Sequence, residues 1–298
     1  MSNAEPRFGR LITAMVTPFN DERKLDLDRA QALATRLIEG GNDSLIINGT
    51  TGESPTVFYP QKIELFRAVV EAVGGKAPVI ANVGDNCTAD TVDFAKDVAK
   101  LGVDGFMCVV PYYNKPPQEG MYQHFKTIAD AVELPIILYN IPGRCVVNME
   151  AETTLRLAND CENIIAVKEA SGKMDQIATI AAAAPEGFSV YSGDDSATYD
   201  IMRLGGVGVI STTGNVAPER MKELVTKCAE GKWDEAWAAH EALLPLMNGL
   251  FETSNPILVK EALKLVGFPV GGVRLPLIDA TAEQSARLAS IMREVGVL

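Results

Sequence analysis

A (β/α)8 barrel of the α/β class, followed by a helical C-terminal appendage, is the fold this sequence predicts, on three observations. Short apolar or β-branched runs alternate with longer amphipathic stretches over the first three quarters of the chain; there are eight of each; and strand-type runs stop after Gly231.

The runs, in order, are LITAMV from Leu11, SLIIN from Ser44, PVIANV from Pro78, GFMCVV from Gly105, PIILYN from Pro135, IIAVKE from Ile164, FSVYSG from Phe188 and VGVIST from Val207. Behind the first comes LDLDRAQALATRLIEGG, whose apolar residues recur every three or four positions and which stops at Gly40-Gly41. Further helical segments run Tyr59 to Val73, Thr88 to Leu101, Pro117 to Ala131, Met149 to Asn159, Lys173 to Ala184, Ser196 to Leu204 and Pro218 to Glu230. Three more, near Trp233 to Gly249, Pro256 to Val266 and Thr281 to Val295, have no strand between them. The expected organisation is a catalytic barrel over residues 1–230 and a helical domain over 231–298. An open, doubly wound sheet is the competing arrangement, but no first turn carries the G-x-G-x-x-G that such sheets place there.

Composition narrows the function. A net charge of -12 argues against nucleic acid or an anionic membrane as partner, since both require clustered Lys and Arg. An anionic substrate would therefore need a cationic pocket inside an anionic shell. The five cysteines are an odd number, widely spaced and without a C-x-x-C pair, which reads as reduced thiols in a cytoplasmic protein. The start, MSNAEPRFGRLITAM, has no apolar leader core, and no later stretch approaches a membrane span.

In a barrel of this kind the chemistry sits at the carboxyl ends of the strands, and here those ends are polar. They read Asn48-Gly49-Thr50-Thr51-Gly52-Glu53, Pro111-Tyr112-Tyr113-Asn114, Tyr139-Asn140-Ile141-Pro142-Gly143-Arg144, Lys168-Glu169, Ser192-Gly193-Asp194-Asp195 and Ser211-Thr212-Thr213-Gly214. Lys168 closes the apolar run Ile164 to Val167. A lysine pointing into the barrel mouth there is desolvated, which lowers its pKa and supplies a free amine able to attack a keto carbon. Position alone equally allows an ion pair with Glu169 or an outward-snorkelling chain. Tyr139 and Tyr113 could bring phenols to the mouth to pass protons, and Arg144 could grip a carboxylate, although each is also compatible with an ordinary core or surface role. The Thr50-Thr51 turn offers backbone N–H groups and two hydroxyls to an anion. No metal site is expected: the only histidines, His124 and His240, fall in helical segments. Aldol chemistry without a metal needs an enamine-forming amine, and Lys168 is the one well-placed candidate.

Taken together, six motifs resemble the dihydrodipicolinate synthase and N-acetylneuraminate lyase superfamily over essentially the whole chain. They are G-T-T-G-E at Gly49 to Glu53, P-Y-Y-N at Pro111 to Asn114, Y-N-I-P-G-R at Tyr139 to Arg144, V-K-E-A-S at Val167 to Ser171, S-G-D-D at Ser192 to Asp195 and V-I-S-T-T-G-N at Val209 to Asn215. The resemblance implies a Schiff-base lyase, without metal or other cofactor, that joins pyruvate to aspartate semialdehyde in the diaminopimelate route to lysine. It implies a pyruvate Schiff base on Lys168 and a proton relay of Tyr139, Thr50 and Tyr113, with Tyr113 entering from a neighbouring subunit of a homotetramer. Arg144 would hold the semialdehyde carboxylate, while Thr51 and backbone groups near Thr50, Gly193 and Ile210 would position the keto acid. Arg144 favours this substrate over the sugar-acid tails of N-acetylneuraminate, keto-deoxy-sugar-acid or 4-hydroxy-2-oxoglutarate aldolases of the same family. A barrel that binds a keto acid without turning it over is the alternative of another class. Where lysine-inhibited relatives carry polar residues and an acid, this chain has Tyr59, Lys62, Asn86 and Asp90, so weak or absent lysine feedback is expected, because Lys62 opposes an incoming ammonium.

Overall fold

A computed structural model of the chain describes residues 5–298, so the first four residues of the expected barrel range lie outside the described residues. Eight parallel strands close into a barrel in chain order: β1 (Leu11–Ala14), β2 (Ser44–Ile47), β3 (Val79–Asn82), β4 (Gly105–Val109), β5 (Ile136–Asn140), β6 (Ile164–Glu169), β7 (Ser189–Ser192) and β8 (Gly208–Ser211). β8 pairs with β1, which closes the barrel and removes any open sheet edge. The open-sheet arrangement is thereby excluded.

Around the barrel run α1 (Leu27–Glu39), α2 (Tyr59–Val73), α3 (Thr88–Ala99), α4 (Gln118–Ala131), the single turn α5 (Pro142–Cys145), α6 (Ala151–Asp160), α7 (Met174–Ala183), α8 (Thr198–Arg203) and α9 (Pro218–Ala229). Their boundaries follow local chemistry. Asp26 caps α1 by accepting from the Arg29 N–H at 2.9 Å, and Gly40 ends it. Three further helices follow: α10 (Trp233–Gly249), α11 (Ile257–Leu265) and α12 (Ala282–Glu294), the last opened by a Thr281/Gln284 capping box.

Strand alternation divides the core in two. One set of side chains, including Val167, Val190 and Val209, faces the helices. The other fills the barrel: Ile12, Ala14, Ile46, Ile80, Met107, Ile137, Tyr139, Ala166, Tyr191 and Ile210. On β6 the alternation is interrupted. Ile136 pairs with Ile164 but Ile137 pairs with Ala166, so Ile165 is an extra residue bulged out of the ladder. Ile164 faces the helices, and strict alternation from it would send Lys168 the same way. The bulge resets the phase, and Lys168, two residues beyond the inward Ala166, points into the barrel.

Candidate active site

Lys168 is paired in register with Tyr139 of β5 and Tyr191 of β7, all three on the inner face. Its side chain is buried, only 6% of the residue remaining exposed. Its Nζ lies 4.2 Å from the centre of the Tyr139 ring. The ion pair with Glu169 does not form. Glu169, one residue on, faces outward, where its carboxylate accepts from Asn140 Nδ2 at 2.5 Å, Ser171 Oγ at 2.7 Å and Gln176 Nε2 at 3.2 Å. Among the described residues no carboxylate comes within ion-pair distance of Lys168. Burial lowers its pKa to about 8, the Asp195 carboxylate opposing this and the Arg144 guanidinium assisting it. The amine is therefore a partly deprotonated nucleophile near neutral pH.

Tyr139 is also buried, and burial pushes its phenol up to about 12, against the pull of Arg144 and of its hydrogen bond with Thr50. It is a proton donor at neutral pH, linked to the Thr50 hydroxyl. Both residues line a cavity of about 430 Å3, together with Arg144, Tyr112, Ile141 and Val109. α5 brings Arg144 to this cavity: Pro142 opens the turn and the Arg144 N–H bonds the Ile141 carbonyl at 3.0 Å. A larger groove of about 910 Å3 lies between the loop before α1 and the C-terminal helices; burial lowers the pKa of its Lys260 to about 8 as well, but that amine is held in an ion pair with Glu53, and Arg23 is engaged by Asp279.

Thr51 is buried; its Oγ1 accepts from Asn255 Nδ2 at 2.9 Å and stands 3.4 Å from Thr212 Oγ1. Gly193 follows β7, and its N–H is committed to the Glu169 carbonyl at 2.7 Å, so the backbone group it can offer a substrate is its own carbonyl. Ile210 is inside the barrel on β8. Tyr113 is the exception. It stands 89% exposed with a left-handed φ of 71°, outside the cavity that Tyr139 and Thr50 line. Within one chain it is not brought to Lys168.

Asp194 and Asp195 of the S-G-D-D motif both hold turns. Asp194 caps a turn by accepting from the Ser196 N–H at 2.9 Å. Asp195 is buried and accepts from the Thr212 N–H at 3.0 Å and from the Thr213 N–H and hydroxyl, both at 2.8 Å, fixing the turn after β8. Asn255 was missed altogether, since it belongs to a segment with no barrel motif. No group of three or more His, Cys, Asp or Glu that could hold a metal ion occurs among the described residues.

The model of the Dihydrodipicolinate synthetase family matches residues 7–295. The chain belongs to the dihydrodipicolinate synthetase family. Relatives within this synthetase family agree over the full length. A 4-hydroxy-tetrahydrodipicolinate synthase of Moorella thermoacetica is 53% identical over 98% of this chain and 100% of its own length. The corresponding synthase of Symbiobacterium thermophilum is 50% identical over the same shares. Among solved structures, the Cyanidioschyzon merolae enzyme with lysine bound superposes with a TM-score of 0.97 at 45% identity, covering 99% of this chain and 100% of that one.

Proposed function

We propose that this chain is a lyase of the 4-hydroxy-tetrahydrodipicolinate synthase type, condensing pyruvate with aspartate semialdehyde through a Schiff base on Lys168. The observation that carries the reading is a buried amine, without a carboxylate partner among the described residues, packed against the ring of Tyr139, whose phenol lines a cavity together with Arg144. The Lys168 amine adds to the keto carbon and loses water to give an imine. Loss of a methyl proton then makes an enamine that attacks the aldehyde. Tyr139, relayed through Thr50, supplies the proton for the new alkoxide, and Arg144 holds the second substrate's carboxylate. Thr51 and the backbone at Gly193 and Ile210 position the keto acid.

Borohydride trapping with pyruvate tests the first step: a reduced pyruvyl adduct on the Lys168 peptide is expected. Its absence would favour a barrel that binds a keto acid without chemistry. Coupled assays with aspartate semialdehyde and N-acetylneuraminate then decide the acceptor. Arg144→Ala should lower kcat/KM for the semialdehyde roughly 10- to 100-fold, as expected for a charge-assisted hydrogen bond, and leave pyruvate trapping at full extent. Equal loss for both substrates would assign Arg144 a different role.

Exposed Tyr113 fits the reading only if it enters the cavity of a second copy, in a dimer that pairs into a tetramer. Full turnover by a monomer in sedimentation-checked solutions would contradict this. Tyr59, Lys62 and Asp90 line one cavity of about 310 Å3 beside the site. Lys62 is the one basic group in that lining, against Asp85, Asp90 and Asp93; its charge is expected to keep a second ammonium out, so sub-millimolar lysine should leave turnover unchanged, and a saturable inhibition curve would show that the three carboxylates prevail.

A further inference from the structure

The C-terminal helices touch the reaction site at two points of one turn. Glu53 ends the Thr50–Glu53 turn in a left-handed conformation, φ 56°, its N–H bonded to the Thr50 carbonyl at 3.0 Å. Its Oε1 lies 2.6 Å from Lys260 Nζ of α11, both side chains at most 2% exposed. Its Oε2 accepts from the Arg274 N–H at 2.9 Å, and Lys260 Nζ also donates to the Gly272 carbonyl at 2.9 Å. Removing two charges from water in this way is expensive, and the arrangement fixes the turn against the C-terminal segment.

The second point concerns Thr51. Asn255, just before α11, is buried and donates from Nδ2 to Thr51 Oγ1 at 2.9 Å. An amide nitrogen can only donate, so the Thr51 oxygen accepts there and its own hydrogen points elsewhere. Thr212 Oγ1, at 3.4 Å, is a weak competitor for that hydrogen. The hydroxyl is thus left to donate to an anion entering the mouth.

We infer that Asn255 is a positioning residue for the keto acid: it fixes Thr51 as a hydrogen-bond donor toward the substrate carboxylate, on a turn that the Glu53–Lys260 pair holds in place. This rests on the reading of Thr51 as a keto-acid contact. It makes the C-terminal helices part of the binding site.

The experiment measures half-saturating pyruvate for borohydride trapping, and kcat at saturating pyruvate, in wild type and in Asn255→Ala, Asn255→Ser and Asn255→Asp. Wild type comes first; failure to trap would refute the Schiff-base reading itself and with it this inference. Given trapping, Asn255→Ala should raise half-saturating pyruvate roughly 10-fold, the scale of one hydrogen bond, with kcat changed less than about 2-fold. Asn255→Ser should fall between. Asn255→Asp, though the same size as asparagine, should be worse than alanine, because its carboxylate draws the Thr51 proton away and repels the incoming anion. In a Thr51→Val background, Asn255→Ala should have no further effect. Half-saturation equal to wild type in Asn255→Ala or Asn255→Asp, or an undiminished loss in the Thr51→Val background, would overturn the inference while leaving the function intact.

Discussion

Lys168→Arg should abolish turnover, by at least about a thousandfold, while Lys168→Met should make the same protein more stable than wild type. The first half follows from proton chemistry. Arginine keeps its charge at any working pH, so a guanidinium at this position cannot form the imine. The second half follows from the surroundings. Holding a lysine pKa at about 8 instead of its ordinary 10.5 means that the folded state disfavours the ammonium by about 3 kcal/mol. The unfolded chain binds more protons than the folded one between those two values, so this penalty is full below pH 8 and fades as pH rises toward 10.5. The stability gain of Lys168→Met should therefore be near its maximum at neutral pH and shrink through that alkaline window. Urea unfolding at several pH values measures it, beside pyruvate trapping as the activity check. A destabilised Lys168→Met protein at neutral pH, or a Lys168→Arg protein that still turns over, would contradict the picture of a desolvated lysine that gives up its proton readily.

That the amine points inward depended on something periodicity does not report. The eight strands and the helices around them were legible because apolar runs and 3.6-residue patterns each have one dominant explanation, and Tyr59–Val73 and Trp233–Gly249 fall where the pattern puts them. The bulge at Ile165 was not legible: IIAVKE reads as an unbroken apolar strand whose phase is undefined when both faces are buried. Lys168 and Tyr139 could be named from motifs, but their shared inner face came from register. Tyr113 shows the converse. Its motif names it, yet a single chain leaves it in solvent, because nothing among the described residues covers it. Asn255 and Lys260 were invisible for a different reason. They lie in segments remote from the barrel turns, and only the tertiary approach of α11 to the Thr50–Glu53 turn gives them a partner.

Tyr139→Phe should lower kcat roughly 100- to 10,000-fold, the range for losing one positioned proton donor, with pyruvate still able to reach Lys168. The ring must stay: it covers the amine at 4.2 Å and fills the barrel beside Ile137 and Ala166. Phenylalanine keeps that cover, so the substitution removes only the hydroxyl and its bond with Thr50, and should leave the fold and the lowered Lys168 pKa in place. With a phenol pKa near 12, Tyr139 cannot serve as a standing base at neutral pH; it acts by lending a proton to the alkoxide and recovering it through Thr50. Extent of trapping at saturating pyruvate should therefore remain close to wild type while single-turnover condensation with the semialdehyde slows. Thr50→Val should reproduce part of that slowing, and the double variant should be little worse than Tyr139→Phe alone, because the second hydroxyl acts only through the first. Independent, multiplying losses would place Thr50 and Tyr139 in separate tasks and break the relay.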